Sequence, residues 1–190
     1  MTDAGEYNTF IGNLAGCKNV SGSYNTFIGA FAGAETSPGA RNTMIGQFAG
    51  AYTGYPSSTQ TISDNTYLGY ASGAGVSATL ANSNMGVRNT FIGSRTGELK
   101  RSGNENVFIG HWSGQGNLTG QRNIFIGAFS GTTSNVSNAI AIGHSAVPTT
   151  DNQFVLASNQ YPIGTASAGV FSHFLNATIN GIDMKIPLYY

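Results

Sequence analysis

Charge is what this chain has least of: only 8 % of its 190 residues are charged, and the formal net charge is zero. That excludes an electrostatic footprint for nucleic acid and a basic belt for anionic membrane. Cys17 is the only cysteine, so no intrachain disulfide forms. It reads as a small apolar filler in a turn, with a cross-subunit contact as the alternative. No apolar run approaches membrane-spanning length, and Met1-Thr2-Asp3-Ala4-Gly5 carries neither the basic nor the apolar part of an export signal. Helical periodicity is absent throughout. The eight carboxylates are scattered, whereas glycoside cleavage needs two within about 5–10 Å.

Glycine, by contrast, is plentiful, at 27 residues, and it is regularly placed. A short sentence, Asn-Thr-Phe-Ile-Gly followed by a small residue and a second Gly, recurs along the chain. Its closing glycines are Gly12, Gly29, Gly46, Gly69, Gly93, Gly110 and Gly127, with a degenerate last copy at Gly143. The steps are 17, 17, 23, 24, 17, 17 and 16 residues. A fixed period of this length means stacked structural units. Each unit places β-branched and aromatic residues between Gly corners, which is a short strand bounded by turns. The fold class is therefore all-β, a repeat solenoid, with residues 1–147 as an eight-repeat body.

Stacking the repeats produces columns. One holds Ile11, Ile28, Ile45, Leu68, Ile92, Ile109, Ile126 and Ile142. A second holds Phe10, Phe27, Met44, Tyr67, Phe91, Phe108, Phe125 and then Ala141. A third runs from Thr9, Thr26, Thr43, Thr66 and Thr90 to Val107, Ile124 and Ile140. Adjacent strand residues face opposite sides, so Thr and Ile point one way and Phe the other. Both faces are apolar, and one thin coil has one core. If Thr and Ile fill that core, the Phe column needs another cover, since each ring left in water forgoes roughly 1.5–3 kcal/mol. The expectation is a homotrimer whose interface consists of Phe10, Phe27, Met44, Tyr67, Phe91, Phe108 and Phe125, with a body about 35 Å long.

Two further columns read as structural. Asn8, Asn25, Asn42, Asn65, Asn89, Asn106 and Asn123 begin the strands, where amides can satisfy turn backbone and bond to one another. The residue before each is Tyr7, Tyr24, Arg41, Asp64, Arg88, Glu105 and Arg122. From Arg41 the charges alternate, a ladder expected to set register.

The last copy, Asn138-Ala139-Ile140-Ala141-Ile142-Gly143-His144-Ser145-Ala146, closely resembles the head repeat of trimeric autotransporter adhesins. The Asn-Thr-Phe-Ile-Gly copies resemble longer-period repeats of bacteriophage tail fibres and related injection-system fibres. The resemblance covers roughly residues 5–147. It implies a homotrimeric, left-handed parallel β-roll on a virion surface or otherwise extracellular. It also implies partners among other virion or fibre proteins and a host-surface glycan or protein. The chain lacks the adhesins' export signal, coiled-coil stalk and barrel anchor, which favours a phage-type fibre. Three functions follow. The first is non-enzymatic host attachment; the second is a purely structural fibre spacer or capsid decoration; the third is a polysaccharide depolymerase.

The irregular stretches are where a receptor site is expected. The long steps place insertions at about 51–64 and 74–88, with Tyr52, Tyr55, Asn82 and Asn84 as candidate contacts. Residues 148–190 read as a C-terminal cap or knob with a hairpin at Asn180-Gly181, and Tyr189 and Tyr190 join the candidates. No catalytic residue, cofactor site, metal site or membrane-inserting segment is assigned. His111 and His144 share the slot after the motif Gly, but no second ligand stands beside them. Gly73-Ala74-Gly75-Val76-Ser77-Ala78 mimics part of a dinucleotide loop without its last Gly or its helix.

Overall fold

The structure is a computed structural model that describes residues 5–34, 36, 39–52, 62–75, 86–99, 102–131 and 135–156, and the backbone of 173–179 and 182–188. Every motif forms a three-residue rung. These are β1 (Thr9–Ile11), β2 (Thr26–Ile28), β4 (Thr43–Ile45), β6 (Thr66–Leu68), β7 (Thr90–Ile92), β8 (Val107–Ile109), β9 (Ile124–Ile126) and β10 (Ile140–Ile142). Between them lie two short strands, β3 (Gly39–Ala40) and β5 (Ile62–Ser63), which pair in parallel as a separate strip. The rungs pair in parallel and in the register of the columns: Phe91 faces Phe108, which faces Phe125. A ninth rung, β11 (Phe154–Leu156), continues the sheet on β10. The sheet of the body accordingly continues past residue 147 to Leu156. Asn152-Gln153-Phe154-Val155-Leu156 reads as a strand of the cap in the sequence; without the Gly-spaced motif its place in this sheet does not show, because parallel pairing needs only extended backbone. In the separate second unit, β12 (His173–Ile179) and β13 (Ile182–Leu188) pair antiparallel with Ile179 opposite Ile182.

The sidedness is the reverse of the expectation. Phe27, Met44, Tyr67, Phe91, Phe108 and Phe125 are 0 % exposed and form the core of the single chain. Only Phe10, on the end rung, is open, at 38 %. Six of the seven residues expected at a trimer interface are therefore covered by their own coil, and Phe10 alone is open. The physical reason lies in the opposite wall. It is built of Ala32, Ala49, Ser72, Thr96, Ser113 and Ser130, each buried and each followed by Gly. These walls bond coil to coil, for instance Gly97 N–H to Ser113 C=O at 2.8 Å. With no side chain on the Gly, the wall recedes enough to seat a ring. A Cβ on Gly97 would sit 2.6 Å from Cε2 of Phe91. At the last full rung Ala141 replaces Phe, and Val147 stands in the Gly position. Volume thus moves from one wall to the other.

Within the core the rings form a stack. Tyr67, Phe91, Phe108 and Phe125 follow one another with centroids 4.9–5.0 Å apart and planes within 10°. The motif Gly is fixed by coil spacing: Gly110 has φ +130, and a Cβ there would meet the Gly127 carbonyl carbon at 2.6 Å.

The amide column is the second continuous element. Oδ1 of Asn106 accepts from the Asn123 backbone N–H at 3.1 Å and from its Nδ2 at 3.0 Å. The same bonds join Asn25, Asn42, Asn65, Asn89 and Asn106 in turn. The ladder ends at Ala139, whose N–H donates to Oδ1 of Asn123 at 2.9 Å.

The outer column also pairs. Tyr7 stacks on Tyr24, and Arg41 bonds Asp64 through Nε and Nη2 at 2.6 and 3.0 Å. Arg88 Nη2 meets Glu105 at 2.8 Å, and Arg122 Nε donates to Oδ1 of Asn138 at 2.7 Å. The hydrogen bond from Arg41 holds the Asp64 carboxyl below its ordinary value, against the opposing effect of partial burial. That contribution is present above the ordinary carboxylate pKa and is lost as pH falls through the lowered value. Both pairs are solvent-exposed, so each is worth about 0.2–1 kcal/mol. Glu105→Lys is expected to melt lower than Glu105→Gln, because it puts like charges beside Arg88 and Arg122. Equal melting temperatures would remove the ladder from the account.

Candidate functional site

With the rings inside, the outward face of the sheet belongs to the Thr and Ile columns. Ile11, Leu68, Ile124, Ile126, Ile140, Ile142, Phe154 and Leu156 are exposed, Leu68 at 44 % and Ile126 at 37 %. No charged residue stands in either column. The face is Thr-rich at the first five rungs and wholly aliphatic or aromatic from Val107 onward. Nine rungs of three residues make a strip about 38 Å by about 10 Å. That is roughly 400 Å², the scale at which an apolar patch marks an interaction surface. The backbone groups of the inner rungs are consumed by the ladder, so the face offers shape and apolar area and few hydrogen bonds.

A second surface lies along the corner that follows the motif Gly. The residue two positions after that Gly is Leu14, Phe31, Phe48, Ala71, Arg95, Trp112, Phe129 and Ser145, each with φ between +50 and +60. Bulky residues rarely adopt this region. Of these side chains Leu14 is exposed, Ala71 is buried and the others are half-buried. Phe31 stacks on Phe48 at 5.1 Å. Farther along, the guanidinium of Arg95 lies 5.8 Å from the ring of Tyr70 and 5.8 Å from that of Trp112. Trp112 lies nearly parallel to His111 at 5.5 Å, and Phe129 stands edge-on to both. His144 meets Phe129 at 5.6 Å. The indole Nε1 of Trp112 is buried and has no hydrogen-bond partner among the described residues.

Tyr52 is half-buried with φ +60 at the edge of the first insertion. Tyr55, Asn82, Asn84, Tyr189 and Tyr190 lie outside the described residues. Sequence reasoning missed the aromatic corner, treating its positions as variable letters in the consensus. The signal was there in the aromatic bias of that one slot. It noted His111 and His144 as sharing a position but did not place Phe129 between them. Glu98 and Glu105 each face their own arginine, Arg95 at 3.8 Å and Arg88 at 2.8 Å. No three His, Cys, Asp or Glu side chains among the described residues are grouped to hold a metal ion, and none of their helices is long and apolar enough to cross a membrane. No family model matches the chain, and neither the curated proteins nor the solved structures hold a significant match to it.

Proposed function

We propose that the chain is the body of a non-enzymatic fibre or surface-attachment protein of a phage or phage-like injection particle, three copies of which pack as left-handed β-rolls with their Thr/Ile faces turned toward a common axis. The observation that carries this reading is the uncharged apolar strip on the outside of the sheet. An occupant must be as long, as apolar and as regular as the strip itself. A second copy of the same face meets all three conditions, and closed symmetry covers every copy. The repeat resemblance to adhesin heads and tail fibres points the same way. A ligand-free spacer is the second reading, favoured by the sameness of successive rungs.

Light scattering on the purified chain tests the assembly. Ile126→Asp with Ile142→Asp puts charge on positions already exposed in one chain, so the fold is retained. The expected result is a mass of three chains for the parent and of one chain for the variant. A parent that is a stable monomer would sink the proposal.

A further inference from the structure

Among the described residues, one part of the surface combines exposed and half-buried aromatic rings, a cation close to two of them and a donor without an acceptor. It is the corner over rungs β6 to β10, formed by Tyr70, Arg95, His111, Trp112, Phe129 and His144. We infer that this stripe is a docking site for an extended, neutral, β-linked glycan, which gives the attachment reading its ligand-bearing surface and rests on that reading for its biological sense.

Geometry is the first argument. A parallel solenoid presents one corner residue per coil, at a step of about 4.8 Å. One pyranose ring of an extended β-linked chain advances by nearly the same length. From Tyr70 to His144 there are four such steps, about 19 Å, enough for four or five sugars. A glycan laid along the solenoid axis would meet a ring at almost every residue.

Chemistry is the second. Sugar rings have apolar faces of C–H groups, which pack on aromatic faces, and a rim of hydroxyls, which accept and donate. Phe31 and Phe48 stack on each other at 5.1 Å and so cover one another's faces. Over β8 to β10 only His111 and Trp112 stack, at 16°; the contacts of Phe129 are edge-to-face, 84° with His111, 76° with Trp112 and 62° with His144. Rings set at such angles cannot all shield one another's faces. Tyr70, 43 % exposed, and the exposed His111 and His144 add polar edges for hydroxyls.

The third argument is the indole N–H of Trp112. A closed-off donor with no acceptor is uncommon in folded proteins. Nothing in the corner requires a tryptophan, since Leu14, Phe31 and Phe129 occupy the same slot in other coils. An acetamide carbonyl of a bound sugar is the kind of acceptor that this donor lacks. The ligand is assigned as neutral because Arg95 already lies between two rings with Glu98 beside it.

Trp112 is the only tryptophan, so its emission reports on this site alone. The whole chain is titrated with chitohexaose and with cellohexaose while Trp112 fluorescence is followed. The expected result is a saturable change, tighter for chitohexaose. Phe129→Asn keeps a residue that tolerates the left-handed corner. It should weaken binding about fivefold to tenfold, the worth of one aromatic contact. His144→Ala, at an exposed position, provides the same test should Phe129→Asn fold poorly. Phe31→Asn, three coils from Arg95, should leave affinity unchanged. No response to either sugar would overturn the inference, as would affinity indifferent to both stripe variants. A response to a proline-rich peptide alone would assign the stripe to a protein partner and overturn it too. Light scattering on the same samples separates the two readings: three chains without sugar binding removes the stripe and leaves the assembly, and binding by a monomer does the reverse.

Discussion

Phe108→Ala is expected to lower stability by about 3–5 kcal/mol, the range for removing a fully buried ring. Phe108 is 0 % exposed and stacks between Phe91 and Phe125, 4.9 Å from each. Its ring also rests against Gly114, whose missing side chain cannot move in to fill the space. The rigid coil spacing, fixed by contacts such as Gly110 against Gly127, prevents collapse from above or below. Little relaxation is available, so the cavity persists and the loss lies at the upper end. In a chain of this size that corresponds to a fall in melting temperature of about 6–20 °C. Because each coil leans only on its neighbours, the damage also weakens coupling between the two halves of the solenoid. Thermal unfolding followed by circular dichroism measures it. A loss under 1 kcal/mol would mean that the ring is not core.

Asn106→Leu is the second large effect, and its cause is polar. Leucine has nearly the shape of asparagine and keeps the apolar contacts. It removes the acceptor for the Asn123 N–H and Nδ2, and the donors to Oδ1 of Asn89 and to the Gly120 carbonyl. Asn106 and Asn123 are 0 % exposed, so water does not replace those partners. The backbone N–H of Asn123 is left without this acceptor, at about 1–3 kcal/mol. The expected loss is therefore about 1–3 kcal/mol, found in the same melting experiment. Asn8→Leu should cost much less, because Asn8 lies on the half-exposed end rung and has an amide neighbour on one side only. Equal losses at the two positions would mean that the amides act singly and not as a ladder.

The contrast between Phe108 and Asn106 shows what the sequence carries. Repeats put both residues in columns, and the columns pair in the register that the spacing implies. The charge column was equally legible, because alternation from Arg41 onward has meaning only if the residues stack. Which side of the rung faces in was not legible from the rung. Thr-Phe-Ile is apolar on both sides, and the deciding residues are the Ala-Gly or Ser-Gly pairs five and six positions after Phe. Their small size sets the width of the coil, and width decides that Phe goes in. Reading Phe27 together with Ala32 and Gly33 would have given the right answer. Phe154-Val155-Leu156 reads as a strand in the sequence, but as part of the cap and not as a ninth rung, because it lacks the glycine that marks the others. The aromatic corner escaped because positive φ at Phe31, Trp112 or Phe129 is not expected of such residues.

The inside-out arrangement also distinguishes which perturbation should act on the proposed assembly. A charge in the Phe column meets an apolar core and attacks the fold. A charge in the Ile column meets water in the single chain and attacks only what covers that face. One measurement separates these: solution mass together with far-ultraviolet circular dichroism for Phe108→Asp and Ile126→Asp, compared with the parent. The account predicts three chains for the parent, loss of β signal for Phe108→Asp, and a folded single chain for Ile126→Asp. A folded single chain for Phe108→Asp, with Ile126→Asp still at the parent mass, would contradict it.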